Sequence, residues 1–154
     1  MCITFTKNKW QKFTPTEAYL AKVKPIDTLQ KLYVFIQGFT RLNDVKDYWQ
    51  TPEQTLKLKT YDCEDMAIFC QDILVRMGID AVVAMYKGTG KIGHAVCVFP
   101  YAGQYSFFSN KRRYNGYTDY IQIGHHYYPE LKRMYIYDNK GKIIQKKVSL
   151  FGTF

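Results

Sequence analysis

The chain has no run long and apolar enough for a membrane helix. Its longest unbroken apolar stretch, residues 81–86, is six residues, against the ~20 that a span needs. Residues 1–7 lack the apolar core of a secretory signal, so a soluble, cytoplasmic protein is expected. Metal-type spacing is also absent. Cys2, Cys63, Cys70 and Cys97 make no Cys-x-x-Cys pair, no His-x(3–5)-His occurs, and His125 and His126 are adjacent, which argues against structural zinc. With no export signal, the four cysteines are expected as thiols. Acidic residues are scarce: 13 Asp+Glu against 22 Lys+Arg give a formal charge of +9, a field that favours anionic partners. There is no internal repeat, low-complexity tract or Pro/Gly/Ser linker. This points to one domain over residues 26–154 behind a short N-terminal extension, 1–25.

What remains is ordinary globular material. Hydrophobic residues are 47% and charged residues 23% of 154, with 14 tyrosines among the aromatics. A chain of this size buries about 70% of its extended surface. Thr14-Pro15-Thr16-Glu17 can open a short helix. Ile26, Leu29, Leu32, Tyr33, Ile36 and Phe39 recur at helical steps. Thr51 is a candidate cap for a helix starting near Pro52. The best-marked element runs from Cys63 to Met77. Its apolar stripe is Met66, Ala67, Phe69, Cys70, Ile73, Leu74 and Met77. Asp62 stands at the N-cap, Glu64 and Asp65 load the first turn, and Gly78 suits a left-handed C-cap. Strands follow at 79–86, 94–99 and 105–108, a further one at 118–123, and a closing hairpin over 134–137 and 142–148. Helices first and antiparallel strands after make the class α+β: N-terminal helices and a central helix packed on an antiparallel sheet.

Cys63, at the mouth of the marked helix, sits where free backbone N–H groups and the positive dipole end favour a thiolate and can hold an oxyanion. A nucleophilic cysteine needs a base. His94, opening a strand after Gly93, is the candidate, a geometry that suits a Cys–His hydrolase. A buried structural Cys63 and a satisfied edge histidine explain the same placement.

Three blocks decide between these readings. Residues 47–53 (Asp-Tyr-Trp-Gln-Thr-Pro-Glu), 62–67 (Asp-Cys-Glu-Asp-Met-Ala) and 93–96 (Gly-His-Ala-Val) resemble, in order and spacing, the bacterial transglutaminase-like cysteine proteinases of the papain-related superfamily. The resemblance spans about residues 27–110. It implies a papain-like/transglutaminase-like core, Cys63 as nucleophile and His94 as general base. The third member is normally an Asp at the end of the next strand, followed by Asn; here Ser109 and Asn110 occupy those positions. A neutral Ser can accept a hydrogen bond from the imidazole but supplies no charge. Asn110 can orient the ring instead, although neighbours on a strand point to opposite faces. Some members bind calcium through carboxylates beside the nucleophile. Asp62, Glu64 and Asp65 match those positions, and capping explains them equally well. Trp49 reads as a buried aromatic anchor.

Two weaker signals remain. Residues 88–93 fit GxGxxG, but between two strands, so they read as a turn. Lys111, Arg112 and Arg113 beside Tyr114 offer a contact for an acidic protein or nucleic acid. The expected function is therefore a thiol hydrolase, a cysteine peptidase on a protein or peptide, with no required cofactor. The alternative is a catalytically weak module that binds a protein or nucleic acid through its basic aromatic surface. The members it resembles are largely exported. A leaderless, lysine- and tyrosine-rich chain points instead to a phage-encoded or virion-associated variant.

Overall fold

The computed structural model describes residues 8–43 and 48–149. Short capped helices open the chain. Helix α1 (Glu17–Val23) starts where the Thr16 hydroxyl accepts from Tyr19 N, and α2 (Leu29–Ile36) where Thr28 accepts from Lys31 N. Strand β1 (Thr40–Arg41) pairs in parallel with β2 (Thr60–Tyr61). Between them lies α3 (Pro52–Leu58), opened by Thr51 with Gln54 as a reciprocal capping box and Pro52 in the first turn, as the sequence leads one to expect.

The central element is α4 (Cys63–Arg76). Asp62 caps it, and Gly78 follows with φ +82°, the left-handed conformation that glycine adopts without a Cβ penalty. The turn after α4 sends the chain back along the helix as β3 (Val82–Lys87). Strands β4 (Gly93–Tyr101), β5 (Gln104–Ser109), β6 (Arg112–Tyr117), β7 (Arg133–Tyr137) and β8 (Ile143–Val148) complete a six-stranded sheet ordered β6-β5-β4-β3-β7-β8. Every neighbouring pair in it is antiparallel.

Alternation along the strands builds two apolar layers. Val83, Met85, Ala95, Cys97, Phe99 and Phe108 pack against α4, in one core with Cys63, Met66, Phe69 and Cys70. Val82, Ala84, Tyr86, Val96, Val98 and Phe107 face the other way, onto Ile123 and Leu131. The dense apolar run at 82–86 is thus buried on both faces, as its composition implies. Residues before position 26 belong to the first layer. Tyr19 and Val23 are core residues, and Trp10 stacks on Tyr137 with centroids 5.7 Å apart. Trp49 is buried edge-on to both rings, the anchor its sequence context suggests.

Two expectations are corrected. Residues 118–123 are not a strand: the second layer is closed by helix α5 (Tyr120–Tyr127), capped by Asp119, whose side chain accepts from Gln122 N. The β-favouring run Tyr120-Ile121 masks the cap signal. Residues 112–117, where the sequence suggests no strand, form β6. The segment 88–93 is the β3–β4 connection, as expected for a turn.

Gly124 shows how closely α5 sits on the sheet. A Cβ there would lie 2.6 Å from Tyr86 Cδ1 and 2.7 Å from Leu131 Cδ2. The Tyr86 ring cannot yield, being fully buried and held by its hydroxyl on Tyr120 O at 2.6 Å. Gly124→Ala is expected to cost about 1–3 kcal/mol, more than alanine's helix preference returns. Urea denaturation checks this, and an unchanged midpoint would contradict it.

Candidate active site

The site starts from the first turn of α4. Asp62 Oδ1 accepts from Asp65 N at 3.0 Å, and Asp65 Oδ2 accepts from Asp62 N at 3.1 Å. Asp65 Oδ1 accepts from Gln50 N at 2.8 Å. The fully buried Asp65 thereby ties the segment before α3 to the helix that carries Cys63. Burial pushes the Asp62 and Glu64 carboxyls above the usual carboxylate range, and the Glu64 charge adds to the effect at Asp62, because desolvation disfavours the charged form.

Three carboxylates stand here, and two of them, Asp62 and Asp65, serve the capping of α4. Both Asp65 oxygens are taken by backbone N–H groups, and Asp62 is the cap. Among the described residues, no group of three or more His, Cys, Asp or Glu side chains is arranged to hold a metal ion.

His94 comes from the start of β4. Its Nε2 lies 2.7 Å from Ser109 Oγ, at the end of β5. Ser109, not Asn110, is thus the partner of the imidazole. Asn110 follows in the β5–β6 turn at φ +52°, and its Oδ1 is buried with no hydrogen-bond partner. The Tyr127 ring of α5 packs on the imidazole with centroids 4.5 Å apart. Burial pushes the His94 pKa down from 6.5 to about 4, with Arg41 adding to the effect, so the ring is neutral near pH 7.

Cys63 opens α4 and His94 stands near the start of β4, and the two elements pack through a core that includes Cys70 and Cys97. The two side chains face different layers. Cys63 is fully buried in the α4 layer, while the imidazole packs with the α5 layer. Cys63 is also disulfide-bonded, against the expectation of a thiol. Glu64 Oε2 lies 3.4 Å from its sulfur, a contact that becomes a hydrogen bond only when the sulfur carries a proton. Cys70 and Cys97 are buried free thiols, and burial raises the pKa of both, which makes them inert.

Beside His94 opens a groove of about 580 Å³. His94, Ser109 and Asn110 line it with Tyr61, Tyr114, Tyr127 and Tyr128, and with the cations of Arg41, Lys111 and Arg112. Cys63 does not. Burial pushes the Tyr127 and Tyr128 phenols up to about 12, so both are un-ionised at neutral pH. A cavity of similar size, about 600 Å³, lies beside α1 and the end of α4; it holds no nucleophile or base pair and is set aside. Sequence reasoning missed Arg41, Tyr61, Tyr127 and Tyr128. The signal for the last two was the Asp119 cap, which moves both onto or beside a helix over the sheet.

Comparison with known proteins bears on the family and the fold. A family model described as a transglutaminase-like domain matches residues 3–139. No curated protein matches. Among solved structures, calcium-bound LapG of Legionella pneumophila aligns with a TM-score of 0.54 at 19% identity, over 93% of this chain and 74% of that one. EGTA-treated LapG aligns with a TM-score of 0.51 at 18% identity, over 92% and 73%. At these identities the likeness is one of fold. None of the helices among the described residues is long and apolar enough to cross a membrane.

The low His94 pKa has a consequence for stability. Between about pH 6.5 and pH 4 the unfolded chain binds a proton at His94 that the folded chain does not, so stability falls as pH falls through that window. The raised Asp62 and Glu64 carboxyls act in the opposite sense, which makes a variant comparison necessary. His94→Gln is expected to flatten the decline in urea midpoint across this range; an identical decline in the variant would contradict the assignment.

Proposed function

The chain belongs to the transglutaminase-like domain family, and from that premise we propose that it is a thiol hydrolase, a cysteine peptidase in which Cys63 is the nucleophile and His94 the base. The observation that carries the reading is the His94 Nε2–Ser109 Oγ contact of 2.7 Å. With Nε2–H donating to Ser109, the Nδ1 lone pair is left to take a proton.

The cycle begins from the reduced thiol. Freed from its disulfide, the sulfur can change rotamer toward the strand start. His94 Nδ1 takes the thiol proton, and the sulfur attacks the scissile carbonyl carbon. The carbonyl π electrons move onto oxygen, where backbone N–H groups in the first turn of α4 stabilise the charge. Collapse re-forms the carbonyl and breaks the C–N bond, and the imidazolium gives its proton to the departing amine. Water then attacks the thioester while His94 takes one of its protons. The acid product leaves, and the thiol regains its proton. Hydrolysis follows from water being the acceptor; an amine in its place would give acyl transfer by the same steps.

Ser109 orients the imidazole without the carboxylate that would stabilise its protonated form. This chain is therefore a slow version of such a machine. The burial of Cys63 and its absence from the groove wall favour a second reading, a non-catalytic module that binds a protein partner through the same surface.

One experiment separates the two. In the reduced protein, iodoacetamide is expected to label Cys63 faster than the buried Cys70 and Cys97 near neutral pH. His94→Ala should slow that labelling about tenfold, and Ser109→Asp should speed it by a similar factor, since a neighbouring carboxylate favours the imidazolium–thiolate pair. Mass-spectrometric mapping of the adducts reads all three cysteines at once. Equal, slow labelling in every variant would leave the binding module.

A further inference from the structure

Resting on the reading of Cys63 and His94 just given, we propose that the groove beside His94 selects polypeptides with acidic side chains near the bond to be cleaved, and that Arg41 and Arg112 are the residues that read them. The groove is lined by three cations and no carboxylate. Lys111 is already committed, its Nζ donating to Gln37 O at 3.1 Å and to Phe39 O at 3.0 Å. That anchors the β5–β6 turn to the end of α2. Arg41 and Arg112 are different. Both are exposed, and neither takes part in an ion pair among the described residues.

They come from separate elements, β1 and β6, and their fields reach the site. Arg41 acts on His94, and Arg112 acts on Tyr127, whose ring covers the imidazole. The Arg41 guanidinium disfavours protonation of the imidazole, and Arg112 adds a second cation to the same groove with no carboxylate in its lining. A bound carboxylate offsets both cations, so an acidic substrate assists the proton transfer that its own cleavage needs. Arginine's planar fork also suits a carboxylate bidentately.

The surface beyond the groove has the same character. A second cleft of about 450 Å³ shares Arg112 and Tyr114 with the first and continues past Arg113 to Tyr33 of α2, again without a carboxylate. Arg113 is held over the Tyr101 ring at 4.6 Å. The track is therefore longer than one residue and runs away from His94, as an extended peptide requires. A polypeptide is the occupant because the thiol-hydrolase reading, on which the proposal rests, has a peptide as its substrate; nucleic acid is the outcome that the test must exclude.

The test uses the reduced full-length protein and three peptidyl fluoromethyl ketones that differ only in the residue before alanine: Glu-Ala, Gln-Ala and Lys-Ala. The rate of adduct formation at Cys63, mapped by mass spectrometry, is the readout. The Glu probe is expected to react about tenfold faster than its Gln isostere at low salt, with the advantage shrinking as NaCl is raised. Arg41→Gln and Arg112→Gln should each cut that ratio. Lys140→Gln, the same loss of charge in the turn at the far end of β7, should keep it. Equal rates for Glu and Gln, or a preference for Lys, would overturn the proposal. So would equal rates together with oligo-thymidylate binding that both arginine variants lose, which would assign the groove to nucleic acid. No labelling of Cys63 by any probe, iodoacetamide included, would instead remove the nucleophile assignment on which the proposal rests.

Discussion

Asp65 has no exposed surface, yet it holds together three parts of the chain. Its carboxylate takes the backbone N–H of Asp62 and of Gln50, while its own N–H goes to the Asp62 side chain. Removing this one side chain would leave two backbone donors, those of Asp62 and Gln50, to find other partners, each at a cost of about 1–3 kcal/mol. The consequence is positional. The first turn of α4, the Trp49–Gln50 segment and the start of α3 move as one body. Cys63 is the residue after the cap, so its place in the fold is set by this network before any substrate is present. The negative charges around it serve the helix dipole first, which is why three adjacent carboxylates need not signal a cation.

The imidazole is fixed by a different device. Antiparallel pairing of Cys97 with Phe108 carries Ser109 to the level of Val96, one diagonal step from His94 on the same face of the sheet, and the two side chains close that step with a hydrogen bond. Tyr127 then closes over the ring from α5. The result is a neutral, oriented imidazole bordered by arginines and tyrosines. The two halves of the site belong to different layers of one fold. The helix mouth is a product of capping, and the imidazole's setting is a product of strand pairing and a side-chain contact. Chemistry depends on whether the sulfur, once reduced, turns from the α4 layer to the strand edge.

Much of this was legible in the residues. Thr51-Pro52 and Asp62-Cys63-Glu64-Asp65 announce two helix starts with capping chemistry, and both helices begin where those residues place them. The family resemblance left Ser109 and Asn110 both open as the partner of the imidazole, and only the folded contact singles out Ser109. Residues 118–123 misled because aromatic and β-branched side chains fit a strand as well as a helix; only tertiary packing of Gly124 on Tyr86 decides for the helix. The basic groove could not be read in advance, because Arg41 and Arg112 are far apart in the chain and meet only through β1 and β6. The oxidation of Cys63 has no local signature either, since its sequence setting is that of a reactive thiol.

The central claim is spatial, and a crystal structure of the reduced protein tests it most directly. The account predicts the Cys63 sulfur within ~4 Å of His94 Nδ1, with the Ser109 contact to Nε2 retained and the groove open to both. A sulfur still sealed in the α4 layer, separated from the ring by packed side chains, would contradict it and leave a basic, tyrosine-lined binding surface on a transglutaminase-like scaffold.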